Sequence, residues 1–210
     1  MKKLLYIQAS PRVERSHSRR VADAFVTAYK DVNPDDEVEV LDIFKMDLPT
    51  FDGLTVQAKY TILHGQEHSE EELAVWKEVE NVIEEFKSAD KYVFAVPMWN
   101  FGIPYRLKQY FDVITQPGYT FSFSPEKGYM GLVTDKPALV VYARGGEYAA
   151  GSETAAYDQQ KQYMEQILGF IGFTDVRSIA VEPTLMGGPE MAAAKRESAT
   201  KKAEMMSASF

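Results

Sequence analysis

Apolar residues recur along this chain with two different periods. Short apolar runs occur at LLYIQA (4–9), EVEVLDI (37–43), KYVFAVP (91–97), ALVVYA (138–143) and VRSIAVE (176–182), each bounded by turn residues, which predicts five strands. Between them the spacing lengthens to that of a helix face. Val21, Phe25, Ala28 and Val32 share one such face; Leu73, Trp76, Val79, Ile83 and Phe86 share another, behind Ser69 and Glu72 in the spacing of a capping box. Leu107, Tyr110, Phe111 and Ile114 form a third face behind Pro104, placed where a first helical residue belongs. Tyr163, Ile167 and Phe170 form a fourth, closed by Gly172 or Gly169. Strands alternating with helices predict parallel pairing through right-handed crossovers. YVFAV and ALVVY are apolar throughout, as strands covered on both faces should be. The expectation is an α/β fold, a doubly wound five-stranded parallel sheet in order 2-1-3-4-5 with helices on both faces.

Two segments interrupt that repeat, residues 44–68 and 116–135, and loops of that length are uncommon unless they cover a site or meet a partner. No linker or internal repeat divides the chain, so residues 1–210 are expected to form one domain. A net charge of -8 disfavours a nucleic-acid partner. No apolar run reaches the length of a membrane span, and MKKLLYIQASPR turns polar too early for a signal peptide, so a cytoplasmic location is expected. With no cysteine there is no thiol nucleophile, thiolate metal site or disulfide, and redox chemistry would need a borrowed cofactor.

Ligands of such sheets bind beyond the carboxyl ends of the strands, so the turns after strands 1, 3 and 4 carry the candidate chemistry. The first, QASPRVERSHSRR (8–20), lacks the glycines of a pyrophosphate loop and offers Ser10, Ser16 and Ser18 among four arginines. Hydroxyls at a helix N-terminus suit a terminal phosphate; the plainer alternative is that Ser16 or Ser18 only caps its helix. The second turn, Pro97 to Phe101, sets Trp99 and Phe101 where a loop should be polar, with Asn100 able to donate and accept; it fits a flat aromatic ligand, or an aromatic plug or subunit contact. In the third, Ala143 to Gly146, two glycines permit close backbone approach or simply make a tight turn. His64 and His68 lie four apart in an expected loop, where a solvated pair outweighs a metal site. No general acid, general base or nucleophile is assigned.

Taken together, LLYIQASPR, VPMWNFGIPYRLKQYFD, GYTFSF, GLVTDKPALVVYARGG, LGFIGFTDV and GGPEMA resemble the bacterial FMN-dependent NADH azoreductase and quinone oxidoreductase family of the flavodoxin-like superfamily. The resemblance implies that Ser10 and Ser16, His17 and Ser18 hold the FMN phosphate. It implies that Met98, Trp99, Asn100 and Phe101, after Pro97, contact the isoalloxazine, and that Ala143, Arg144, Gly145 and Gly146 lie on its pyrimidine side; Ala143 departs from the hydroxyl residue frequent in the family. It further implies a homodimer with FMN at the interface, hydride transfer from NADH or NADPH to the flavin, and a ping-pong reduction of quinones or azo compounds. Phe121, Phe123 and Tyr129 are candidate walls of the substrate slot, with hairpin or subunit packing as the alternative. A non-enzymatic electron carrier would share the fold and the FMN, but the two insertions would cover the flavin edge such a carrier must expose.

Overall fold

The computed structural model describes residues 1–210. The five predicted strands form, as β1 (Lys3–Gln8), β2 (Glu37–Asp42), β3 (Lys91–Pro97), β6 (Ala138–Ala143) and β7 (Val176–Val181), a parallel sheet in spatial order β2-β1-β3-β6-β7. Counting only its own strands, this is the doubly wound order 2-1-3-4-5. Alternate side chains divide the core. Leu5 and Ile7 of β1 with Phe94 and Val140 face α3 (Glu70–Ser88), α4 (Tyr105–Ile114) and α5 (Gln159–Ile171). Leu4 and Tyr6 with Val93 and Val141 face α1 (His17–Val32) and α6 (Gly188–Ser207). Every residue of β6 is buried, consistent with its unbroken apolar run.

The expected helices form; the α4 face of Leu107, Tyr110, Phe111 and Ile114 is buried as expected, α3 buries its face except Leu73, and the stripes of α1 and α5 are shifted. In α1 the buried line is Val21, Ala22, Phe25 and Tyr29, while Val32 is exposed. In α3 the Ser69–Glu72 capping box forms, with Glu72 N donating to Ser69 Oγ at 3.1 Å and Ser69 N to Glu72 Oε2 at 2.8 Å, but Leu73 stays exposed. Pro104 stands at the N-cap of α4, one position before the helix. In α5 the buried line is Met164, Leu168 and Ile171, one residue from the expected face, and Gly172 closes the helix at φ 121°. The two insertions are ordered. Residues 44–68 contain α2 (Gly53–Leu63), and 116–135 contain the antiparallel hairpin β4 (Phe121–Ser124) and β5 (Gly128–Gly131).

Helix α6 was not expected from apolar spacing. It buries Ala192, Ala199, Ala203 and Ser207, small residues that let α6 lie close against its neighbours without an aliphatic stripe. No helix is long and apolar enough to cross a membrane.

Candidate functional site

At the carboxyl ends of β1, β3 and β6 a cleft of about 130 Å³ is lined by Ser10, Arg12, Ser16, His17, Pro97, Met98, Trp99, Ala143, Gly145, Thr184 and Leu185. Strand order brings the three turns together. Within the first, Ser16 is the N-cap of α1 and its Oγ accepts from Arg19 N at 3.3 Å. The same Oγ lies 3.2 Å from Ser18 Oγ, so the two buried hydroxyls form one pair. Ser10, also buried, accepts from Arg12 N at 3.4 Å. The first turn of α1 contains no acidic residue to offset the positive end of its dipole. Capping and anion binding are therefore compatible, because Ser16 satisfies only one of the amides that a helix start leaves free.

The arginines of this turn divide by role. Arg19 folds back, donating to Ser10 O at 3.2 Å and meeting Asp42 Oδ2 at 3.4 Å, and so ties the turn to the end of β2. Arg12 lines the cleft and Arg20 is exposed. His17, at the cleft wall, lies 3.4 Å from Arg196 Nη1 of α6. Burial first, then the positive charges of Arg196, Arg12 and Arg20, hold its imidazole below its ordinary value. One end of the cleft is thus cationic in an acidic chain.

The second turn is a two-residue reversal. Trp99 N donates to Gly102 O at 3.0 Å and Gly102 N to Trp99 O at 2.9 Å, with Asn100 at φ 48° and Phe101 at φ 69°. Both central residues sit in the left-handed region, the pattern of a type I′ turn, which a phenylalanine occupies at a cost. Trp99 is braced by Phe44 and Tyr105, ring centroids 5.8 Å and 6.1 Å away, and Met98 N donates to Ala143 O at 2.8 Å. Phe101 instead lies outward beside Tyr157 at 5.4 Å. The amides of Asn100, Phe101, Gly145 and Gly146 take no acceptor within the protein.

Several expected site residues sit elsewhere. The Arg144 side chain does not line the cleft; it turns inward to buried Asp158, Gln160 and half-buried Glu182, where two carboxylates beside β6 attract it. Ser18 contributes through its bond to Ser16, and Asn100, Phe101 and Gly146 do not line the cleft. Phe121, Phe123 and Tyr129 are away from the cleft of their own chain. Phe121 packs on Phe170 at 4.7 Å and Val133 N bonds Ile171 O at 2.8 Å, which anchors the hairpin at the far end of α5 and the amino end of the sheet. Arg12 is one of the four arginines of the first turn, while nothing in the sequence marks Thr184 or Leu185 for the cleft. The last two follow β7, whose place beside β6 brings a fourth loop to the cleft.

The donor set fits a phosphorylated heteroaromatic: hydroxyls, an arginine and helix amides at one end, an indole wall and free amides at the other. Comparison with known proteins agrees. Residues 2–205 match the family described as flavodoxin-like fold. The FMN-dependent NADH:quinone oxidoreductase of Nitratidesulfovibrio vulgaris is 57% identical over 210 residues, with all of both chains covered. That of Desulfotalea psychrophila is 50% identical, covering 99% of this chain and 96% of the relative. Among solved structures, an azoreductase from Bacillus anthracis superposes with a TM-score of 0.91 at 30% identity over the full length of both chains. An FMN-dependent NADH-azoreductase from that species, in complex with FMN, gives 0.87 at 27% identity, covering 99% of this chain and all of the other. The class defined by fold and cleft is a flavodoxin-like flavoprotein. Within it, the chain belongs to the family of FMN-dependent NADH:quinone oxidoreductases and azoreductases.

Proposed function

We propose that the protein binds FMN in this cleft and uses NADH to reduce quinones and aromatic azo compounds by a ping-pong cycle, acting as a homodimer in the cytoplasm. The observation that carries the reading is the meeting of the Ser10–Ser18, Pro97–Phe101 and Ala143–Gly146 turns at one crevice with phosphate chemistry at one end and aromatic chemistry at the other. Ser10, Ser16, Arg12 and the first amides of α1 would hold the phosphate. Trp99, fixed between Phe44 and Tyr105, would present one flat wall, and the free amides of the second and third turns would donate to the acceptors of the flavin pyrimidine. When bound, FMN supplies the two-electron chemistry, accepting a hydride equivalent and passing electrons to the acceptor. No side chain of the cleft is required as acid or base. Phe123 and Tyr129, exposed at the opposite end of the sheet, would wall the cleft of a second copy rather than their own.

The test is direct. The purified protein, loaded with FMN and made anaerobic, should lose its visible flavin absorbance on addition of NADH and regain it on addition of a quinone. An azo dye should be bleached at the expense of further NADH. Protein that takes up no FMN would refute the cofactor assignment, and bleaching by NADH too slow to sustain turnover would favour the electron-carrier alternative; within one chain the 116–135 hairpin does not cover the cleft, contrary to the expectation that both insertions would.

A further inference from the structure

We propose that Arg144 is a positioning residue that holds the walls of the flavin cleft in register; the inference rests on reading that cleft as an FMN site. Arg144 is 3% exposed, and its guanidinium lies over the rings of Tyr142 and Tyr148, 5.0 Å and 5.8 Å from their centroids. Nε donates to Gln160 Oε1 at 3.0 Å, Nη1 to Glu182 Oε2 at 3.2 Å, and Nη2 lies 2.9 Å from Asp158 Oδ2.

Each partner leads to a different wall. Gln160 Nε2 donates to Val96 O at 3.0 Å, directly before Pro97 and the turn that carries Trp99. Asp158 is the N-cap of α5, accepting from Lys161 N at 2.9 Å. Glu182 also accepts from Tyr148 N at 3.3 Å and stands two residues before Thr184. Thr184 returns to Arg144 itself, its amide and hydroxyl both donating to Arg144 O at 2.9 Å and 2.8 Å. The next two amides, of Leu185 and Met186, donate to Gly145 O at 3.1 Å and 3.2 Å.

One planar fork therefore joins the exits of β3, β6 and β7 and the start of α5. A guanidinium fixes the direction of each bond it makes, whereas an ammonium supplies only a point charge. The consequence is positional: with the fork gone, the charge can be kept while the register of the cleft walls is released.

The experiment compares wild type with Arg144→Lys and Gln160→Met. The first keeps the charge and loses the fork; the second keeps both ion pairs and cuts the tie to Val96. Each apoprotein is checked by far-UV circular dichroism and melting, then titrated with FMN, reading flavin fluorescence and the visible circular dichroism of the bound ring. Arg144→Lys is expected to fold, to bind FMN more weakly by about tenfold or more, the scale on which losing a supporting partner weakens a metal site, and to alter the visible dichroism. Gln160→Met should shift both readouts in the same direction by less, and carries the test alone if Arg144→Lys does not fold. Folded variants with wild-type FMN affinity and unchanged dichroism would overturn the proposal and leave Arg144 a prop of the fold. Failure of wild-type protein to take up FMN would instead remove the cofactor reading, and the proposal with it.

Discussion

Two side chains of the first turn carry separable roles. Ser16 caps α1 and offers its hydroxyl to the cleft, while the buried Ser18 hydroxyl pairs with that of Ser16. Ser16→Ala should lower apoprotein stability by about 1 kcal/mol for the lost cap. Combined with Ser18→Ala it should weaken FMN binding by roughly 1.5–3 kcal/mol for each bond lost to a charged group. Fluorescence titration of the apoprotein measures the second effect, and unchanged affinity would reduce both serines to helix capping. His17 gives a pH signature. Its folded value lies below the ordinary 6.5, through burial and then the charges of Arg196, Arg12 and Arg20. Between those values the unfolded chain holds the extra proton, so the stability contribution is present above pH 6.5 and lost as pH falls toward the depressed folded value. The urea midpoint of the apoprotein should fall more steeply below that pH in wild type than in His17→Gln; parallel slopes would contradict it. At this scale the cleft was only partly legible. Ser10, Ser16 and Trp99 announce themselves by being unusual for a strand-to-helix turn. The inward course of Arg144 does not, because its partners Asp158 and Glu182 lie far along the chain.

At the level of elements, the turn after β3 places Asn100 and Phe101 at positive φ and leaves their amides without an acceptor in the protein. A side chain in the left-handed region costs about 1–2 kcal/mol relative to glycine. Phe101→Gly and Phe101→Ala both remove the ring beside Tyr157, and only the first relieves the backbone. The glycine variant should therefore be the more stable of the two by about 1 kcal/mol, less than the full strain because glycine loses more freedom on folding. Urea unfolding of the two apoproteins decides this, and an alanine variant equal to or above glycine would mean the turn is unstrained. The strands were legible because buried parallel strands are unbroken apolar runs, as at 92–96 and 138–142. The buried stripes of α1 and α5 lie beside the expected ones because Tyr29 and Met164, at helical spacing next to the expected residues, face the core. Helix α6 was illegible for a different reason: it packs through Ala192, Ala199 and Ala203, and half-buried Met206 in its last turn is the large apolar residue on that side, one being too few to mark a stripe.

For the whole molecule, the decisive magnitude is the size of the cleft. Its volume of about 130 Å³ falls short of the roughly 300–1,000 Å³ of a pocket that encloses a small molecule. One chain can therefore seat the phosphate and one edge of a flavin without covering the rest. Beside that cleft Phe101, Tyr157, Leu185 and Met186 are exposed, the last two at 77% and 64%. At the other end of the sheet the hairpin exposes Phe123 and Tyr129. Two exposed apolar regions on one chain, neither satisfied by the other, would be covered together by a second copy whose hairpin side closed the cleft. Sedimentation should give twice the 23.7 kDa chain mass. Because a ligand held between copies stabilises the assembly by mass action, FMN should tighten the association, and apparent FMN affinity should rise with protein concentration. Leu185→Glu with Met186→Glu places two charges on the rim and should yield folded monomers that bind FMN poorly at every concentration. A wild-type monomer that binds FMN independently of its own concentration would mean the single cleft suffices, and the exposed aromatics of the hairpin would then need another partner.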